Sequence, residues 1–274
     1  NINVIGIQLT DEELEDNTNG QICDDNFNYY VEIQDPLAGC LTRSNIDSAR
    51  IRDNVRPEPQ PLRVISYNYT GKGQGSLNVR WLNADASQNP GDVEQLIFQT
   101  TNGFNSGLLQ YLALDSTAWS TAEPNGMYNI SQTLLDASDS AVVLGAQSKD
   151  PCDTKSLLSQ VDFHKSIDID VEWNTCDSSF ELSWNPYVGF DPNFDVEYTL
   201  YVDTTGVPDY GGFESVLTTT DTTAIHKATK GREEYFFYVE AKSLKPSYES
   251  FTSNSNVAYD SAIFEQVPRY GYKQ

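Results

Sequence analysis

The sequence predicts an all-β protein assembled from tandem β-sandwiches, and three observations carry that reading. The first is an internal repeat. Leu77-Asn-Val-Arg-Trp81 and the later Val93-Glu-Gln-Leu-Ile-Phe98 recur as Phe180-Glu-Leu-Ser-Trp184 and Val196-Glu-Tyr-Thr-Leu-Tyr201, at an offset of 103 residues. Recurrence of two strands with a loop of fixed length marks copies of one small unit. The second is composition: 16 Tyr, 12 Phe and 4 Trp stand against 1 Met, and the abundant Thr, Ser, Asn and Asp suit strands joined by polar turns. The third is a succession of short alternating runs separated by turn residues, the pattern of a two-sheet sandwich.

Residues 1–57 are too short for a whole unit and read as the C-terminal part of one. Asn3 to Leu9 alternates as a strand, Thr10 to Gly20 is an acidic loop, and Phe27, Tyr29, Val31 and Ile33 form one face of a strong strand. Asp35-Pro-Leu-Ala-Gly39 is a turn, with a short closing strand near Ser48 to Arg52. The prolines of Arg56-Pro-Glu-Pro-Gln-Pro61 cannot join a central ladder, so this segment reads as an extended linker and a domain boundary.

The second unit spans 58–160, with strands expected at Arg63 to Tyr69, Leu77 to Trp81, Val93 to Thr100, Leu108 to Leu114, Met127 to Leu134 and Ala141 to Ala146. The third spans 161–262. Its first strand, His164 to Trp173, sets Ile167, Ile169 and Val171 on a dry face against Asp168, Asp170 and Glu172 on an acidic one. Phe180 to Trp184, Val196 to Val202, Phe213 to Leu217, Thr223 to His226, Glu234 to Ala241 and Asn256 to Tyr259 complete seven strands. Residues 263–274 are a linker or tail. Parity puts Leu77, Val79 and Trp81 on one face, Phe180, Leu182 and Trp184 on another, and Tyr235, Phe237, Val239 and Ala241 on a third. Trp81, Trp184 and Tyr235 are therefore structural. Tyr235 is placed to send its hydroxyl to the backbone of the preceding loop, a tyrosine corner.

With 40 acidic and 17 basic residues, a net charge of −23, the surface repels phosphate backbones, which excludes nucleic acid as a partner. No apolar run approaches the ~18 residues needed to span a bilayer, so direct membrane insertion is not expected. Beginning at Asn1 with neither Met nor signal peptide, the chain is expected to be a processed product or a fragment. The cysteines at 23, 40, 152 and 176 form no CxxC, which weakens a structural zinc site. Four cysteines allow three pairings. Cys23 with Cys40 and Cys152 with Cys176 close the shortest loops, buried free thiols being the alternative, and disulfides would place the chain outside the cytoplasm.

At the Trp strand, the strand after it and the final Tyr-x-Phe-x-Val-x-Ala pattern, the sequence resembles fibronectin type III domains. The stretch Cys176-Asp-Ser-Ser-Phe-Glu-Leu-Ser-Trp-Asn-Pro-Tyr-Val-Gly-Phe190 is similar to the tandem fibronectin-like regions of Bacteroidetes surface and secreted proteins that carry gliding-motility-associated C-terminal domains exported by the type IX system. In that resemblance Cys152 stands for a loop cysteine, Ser156 to Ser159 for a Ser-rich strand and Cys176 for the partner of Cys152. It implies a disulfide clamping one sandwich onto the next, with Cys23 and Cys40 pinning the incomplete first unit. The C-terminal sorting motif of that family is absent from Phe264 to Gln274. The resemblance implies two complete fibronectin-like sandwiches and the tail of a third, from a longer protein of the extracellular space or the outer-membrane-associated cell surface.

Catalytic patterns are weak. His164 and His226 fall at strand margins as ordinary surface or edge residues, no Gly-x-Ser-x-Gly elbow supports a serine nucleophile, and Gly71-Lys-Gly-Gln-Gly75 is a wide turn with Lys72 a solvent charge, not a phosphate loop. Asp168, Asp170 and Glu172 stand on one strand face without a pocket. The expectation is a non-enzymatic protein without cofactors. Calcium is the metal that the acidic loops would suit, with Asp191, Asn193 and Asp195 as its best oxygen ligands. Tyr187, Phe190 and Phe194, in the loop after the Trp184 strand, are candidate interaction residues, unless Tyr187 and Phe190 fold back to cap the sandwich. Asp-Ser-Ala triplets mark Ser48 and Ser261 as O-glycosylation candidates, with Ser140 expected to start a buried strand. The functional expectation is a structural or adhesive protein whose modules act as spacers or protein-interaction units among the other domains of a larger polypeptide. Its partners would be surface proteins or glycans, in gliding motility or a type IX-exported assembly. The alternatives are carbohydrate-binding accessory modules of a secreted hydrolase, or a subunit of an outer-membrane machine.

Overall fold

The computed structural model describes residues 25–30, 32–34, 41–51, 56–57, 61–82, 94–100, 109–112, 125–133, 135–149, 153–207, 210–231, 233–245 and 251–264. The early strand and acidic loop, the Asp35 turn, most of the proline linker, Cys23, Cys40, Cys152 and the tail beyond Phe264 lie outside them. In the first region β1 (Asp25–Tyr29), β2 (Glu32–Gln34), β3 (Leu41–Arg43) and β4 (Asp47–Ile51) form two antiparallel pairs, β1 with β4 and β2 with β3. The single strand expected from Phe27 to Ile33 is thus divided near Tyr30, each half with its own partner.

The middle sandwich contains β5 (Leu62–Gly71), β6 (Gln74–Leu82), β7 (Glu94–Thr100), β8 (Leu109–Tyr111), β9 (Asn125–Ser131) and β10 (Val143–Lys149). β5 and β6 turn over Lys72-Gly73, where Gly73 has φ +65°, a left-handed conformation that tight hairpins demand and glycine adopts freely. One sheet has the order β5-β6-β9. The other is β11-β10-β7-β8, where β11 (His164–Lys165) is the start of the strand expected to open the last unit. Instead Leu144 and Val143 pair with His164 and Lys165, closing the middle sheet. The chain then leaves that sheet and begins β12 (Ile169–Asn174).

The last sandwich continues with β13 (Ser179–Trp184), β14 (Val196–Asp203), β15 (Glu214–Thr219), β16 (Thr223–Lys227), β17 (Glu234–Ser243), β18 (Thr252–Asn254) and β19 (Ala258–Ser261). Its sheets are β12-β13-β16 and β15-β14-β17-β18, with β19 also on β17. Every ladder is antiparallel, and the first, second and fifth strands against the third, fourth, sixth and seventh is the partition of a fibronectin type III-like, immunoglobulin-like sandwich. The closing strand is interrupted in both copies, and serines seal the gaps. Ser166 accepts the Val142 N–H at 2.9 Å and returns its own N–H to the Val142 carbonyl, and Ser255 does the same for Val239.

Inward parity holds across the repeat. Leu77, Val79 and Trp81, and equally Phe180, Leu182 and Trp184, are buried, with Phe180 lying 4.9 Å from the Tyr235 ring and 5.0 Å from Phe237. Burying each such side chain is worth roughly 1.5 to 3 kcal/mol. The Tyr235 hydroxyl accepts the Thr229 and Lys230 N–H groups and donates to the Lys230 carbonyl at 3.1 Å, anchoring the loop before β17.

Candidate functional site

The most heavily built polar site among the described residues is the seam between the two sandwiches. β5 is the edge strand of its sheet, so the backbone groups of Ile65, Tyr67 and Tyr69 that point away from β6 need partners. The last sandwich supplies them with side chains. Tyr187 hydroxyl accepts the Ile65 N–H at 3.1 Å, Ser253 Oγ donates to the Ile65 carbonyl at 2.6 Å, and Tyr210 hydroxyl accepts the Tyr69 N–H at 3.1 Å while donating to the Tyr67 carbonyl at 2.9 Å. The Asn254 N–H adds a bond to Ser66 Oγ. Burial pushes both Tyr187 and Tyr210 phenols above their usual range, so these hydroxyls stay protonated and can donate.

At one end of this seam lies His164, fully buried rather than at the surface. Its Nε2 is 3.1 Å from the Leu62 carbonyl and its Nδ1 is 2.7 Å from the Tyr187 hydroxyl. A carbonyl only accepts, so Nε2 carries the proton and Nδ1 receives that of Tyr187. The relay runs from Ile65 N–H through Tyr187 O–H to His164 Nδ1, and from Nε2–H to the Leu62 carbonyl, leaving each of these polar atoms partnered. Desolvation and, to a lesser degree, the nearby Arg63 charge depress the His164 pKa to about 4, while the bond to Leu62 opposes them. Gly189 makes room for the ring: its φ is +129°, and a Cβ there would stand 2.2 Å from His164 Nδ1.

Several sequence expectations change here. Tyr187 and Phe190 are 5% and 7% exposed, their rings 4.4 Å apart. They fold back onto the seam, which removes two of the three rings considered for an external ligand. Phe194 remains 40% exposed, with Lys245 above it. At the expected calcium ligands Lys245 Nζ sits 2.7 Å from Asp191 Oδ2, and two Asn193 nitrogens bind Asp191 Oδ1. The ammonium, followed by the Asn193 bonds, holds the Asp191 carboxyl down at about 2. An ammonium already on that carboxylate competes with any cation, and Asp195 contributes only its carbonyl, to the Leu244 N–H.

Cys176 is an exposed thiol in the turn between β12 and β13, and Cys152, its expected partner, lies outside the described residues, as do Cys23 and Cys40. The acidic row is also broken. Asp168 precedes β12 and is half-buried, bound by Asn256 Nδ2 at 2.8 Å, while Asp170 and Glu172 remain exposed on the sheet. Lys72 is exposed to solvent, and its ammonium also pairs with Glu234 and lies 4.1 Å over the Tyr259 ring, across the seam. Ser48 and Ser261 are exposed, each with its N–H on the preceding Asp, and Ser140 is exposed at a bend rather than starting a buried strand.

Nothing local in the sequence marks His164 as buried, because its partners lie 23 and 102 positions away. The nearest hint is Tyr187 followed two residues later by Gly189, an aromatic beside a residue without a side chain.

No protein-family model matches the chain, and no curated protein matches it. Among solved structures, one titled "Cytokine receptor complex - Crystal form 1A" is similar over 74% of this chain and 98% of its own, with 10% identity and a TM-score of 0.29. The FN1-FN3 domains of chicken CNTN1 are similar over 86% of this chain and 77% of their own, with 11% identity and a TM-score of 0.28. The fold assignment rests on the strand order described above.

Proposed function

We propose that the chain is a non-enzymatic structural and interaction module in which two fibronectin type III-like sandwiches act as one stiff body, a spacer or protein-interaction unit within a larger polypeptide. The single observation that carries this reading is the seam. A buried His-Tyr relay and three hydroxyl-to-backbone contacts fix the second sandwich on the first, whereas a flexible hinge would leave those groups to water. The proposed division is 1–57 as the end of a preceding domain, then 58–160 and 161–262, and the pairing of β11 with β10 supports moving the second boundary to just after Lys165. The sequence resemblance to type IX-exported Bacteroidetes proteins supports a setting at the cell surface or in secretion, with gliding or surface adhesion as the proposed role.

Stiffness is directly measurable. Donor and acceptor dyes on unnatural residues replacing exposed Asn129 in β9 and Ile225 in β16 should report one narrow distance distribution in the full chain, unchanged in moderate salt. A broad or bimodal distribution would show hinged beads and end the stiff-body reading.

A further inference from the structure

The two first strands of the repeat are treated in opposite ways. Ile65 of β5 and Val171 of β12 hold corresponding places, opposite Val79 and Leu182 in the next strand. Along β12 the edge N–H groups are blocked by side chains of the same sandwich: Ile169 by Asn256 Oδ1 at 2.8 Å, Val171 by Asp170 Oδ1 at 3.0 Å, and Trp173 by Asp260 Oδ2 at 3.1 Å. Along β5 the contacts named above come from the other sandwich. From Val64 to Tyr69 the strand carries no charge, no proline and no glycine, and its register shifts lie only at the two ends, so the middle of this edge lacks the devices by which an edge protects itself.

We propose that the last sandwich is an intramolecular cover for a strand-acceptor edge, and that β5, once uncovered, accepts the β5 edge of a second copy. The occupant follows from the strand itself. Set antiparallel about Tyr67, two copies of β5 place Ser66 opposite Asn68 and Ile65 opposite Tyr69, so no like charges meet, although each chain carries a net charge of −23. Aromatic and β-branched residues then face each other across the new ladder, the pairs that stabilise antiparallel strands. Opening would be local: the last sandwich keeps its own edge satisfied and stays folded, while β5 loses its partners.

The test compares the full-length wild-type chain with Tyr187→Phe/Tyr210→Phe, which removes the two covering hydroxyls. Amide hydrogen exchange should accelerate at least about tenfold in β5, with β13, β14 and β17 unchanged, and those three strands serve as the internal control for folding. Sedimentation velocity should show a dimer that grows with concentration, absent from the wild type at equal concentration. Adding Ser66→Lys/Asn68→Lys sets lysines against each other across the paired edge and should restore the monomer. Unchanged exchange in β5, an uncovered β5 that stays monomeric, or a dimer indifferent to the lysines would each overturn the proposal.

Discussion

The middle and last sandwiches share a strand order yet differ in where they find their missing hydrogen bonds. The last keeps its account inside: Asn256 and Asp260, beside and within its closing strands, fold over the β12 edge, and Ser255 seals the gap opposite Val239. The middle one draws on its neighbour, because Leu62, Ile65, Tyr67 and Tyr69 all present backbone groups that only His164 and the last sandwich reach. Equal topology therefore does not mean equal independence. A buried polar group left alone costs about 1 to 3 kcal/mol, so a few such groups decide which sandwich depends on the other.

The largest expected break in that asymmetry is acid. His164 has a folded pKa of about 4 against an ordinary 6.5, so between these values the unfolded chain binds a proton that the folded one refuses. Stability is complete above about pH 6.5 and falls as pH drops toward 4, by about 3 kcal/mol for a shift of this size. Asp168, whose carboxyl burial pushes up, titrates with the opposite sign and opposes part of the loss. Urea denaturation at pH 7 and pH 4.5 should show the drop in the wild type and a much smaller one in His164→Asn. Equal drops in both proteins would remove His164 from the explanation.

Next in size is a matched pair of substitutions. Tyr187→Phe leaves the Ile65 N–H and His164 Nδ1 buried without a partner and should cost about 2 to 3 kcal/mol, expressed in the middle sandwich. Asp260→Ala removes the Trp173 N–H acceptor at a half-buried edge that water can reach, and should cost about 1 kcal/mol in the last. Hydrogen exchange resolved by strand separates them. If Tyr187→Phe loosens β17 as much as β5, the dependence runs in both directions and the contrast drawn here fails.

Much of the scaffold was legible before any coordinates. The parity of Phe180, Leu182 and Trp184 against hydrophilic neighbours fixes which side chains are inward, since a strand turns its side chains out with a period of two. The Tyr235 hydroxyl lies only five residues from its acceptor, the Lys230 carbonyl. The seam was not legible, because most of its bonds join residues far apart in sequence through hydroxyls whose local sequence is ordinary: Tyr187 reaches Ile65 across 122 positions and Ser253 reaches it across 188. The alternation from His164 to Trp173 concealed its own break. Ile167 and Ile169 are both buried as a strand would have them, but Ser166 bonds the Val142 backbone, Asp168 takes the Asn185 and Asn256 side chains, and the chain uses that interval to change sandwiches.

The smallest effect expected at the seam comes from Lys72, at the tip of the β5–β6 hairpin. Its ammonium pairs with Glu234 and lies over the Tyr259 ring at 4.1 Å, contacts reaching from the middle sandwich to β17 and β19. The Lys72 and Glu234 side chains are 48% and 35% exposed, so water and salt screen most of the attraction, and an exposed pair of this kind contributes about 0.5 kcal/mol. Its cation-aromatic part adds a comparable amount that salt weakens less. Lys72→Ala should therefore lower stability by less than about 1 kcal/mol. Lys72→Met, which keeps the stem over the ring without the charge, should recover part of the loss. Raising sodium chloride from 0.05 to about 0.5 M should narrow the gap between wild type and Lys72→Ala, since the Debye length falls below 5 Å. A loss as large as that of Tyr187→Phe would mean that charge, not the buried hydroxyl relay, holds the two sandwiches together.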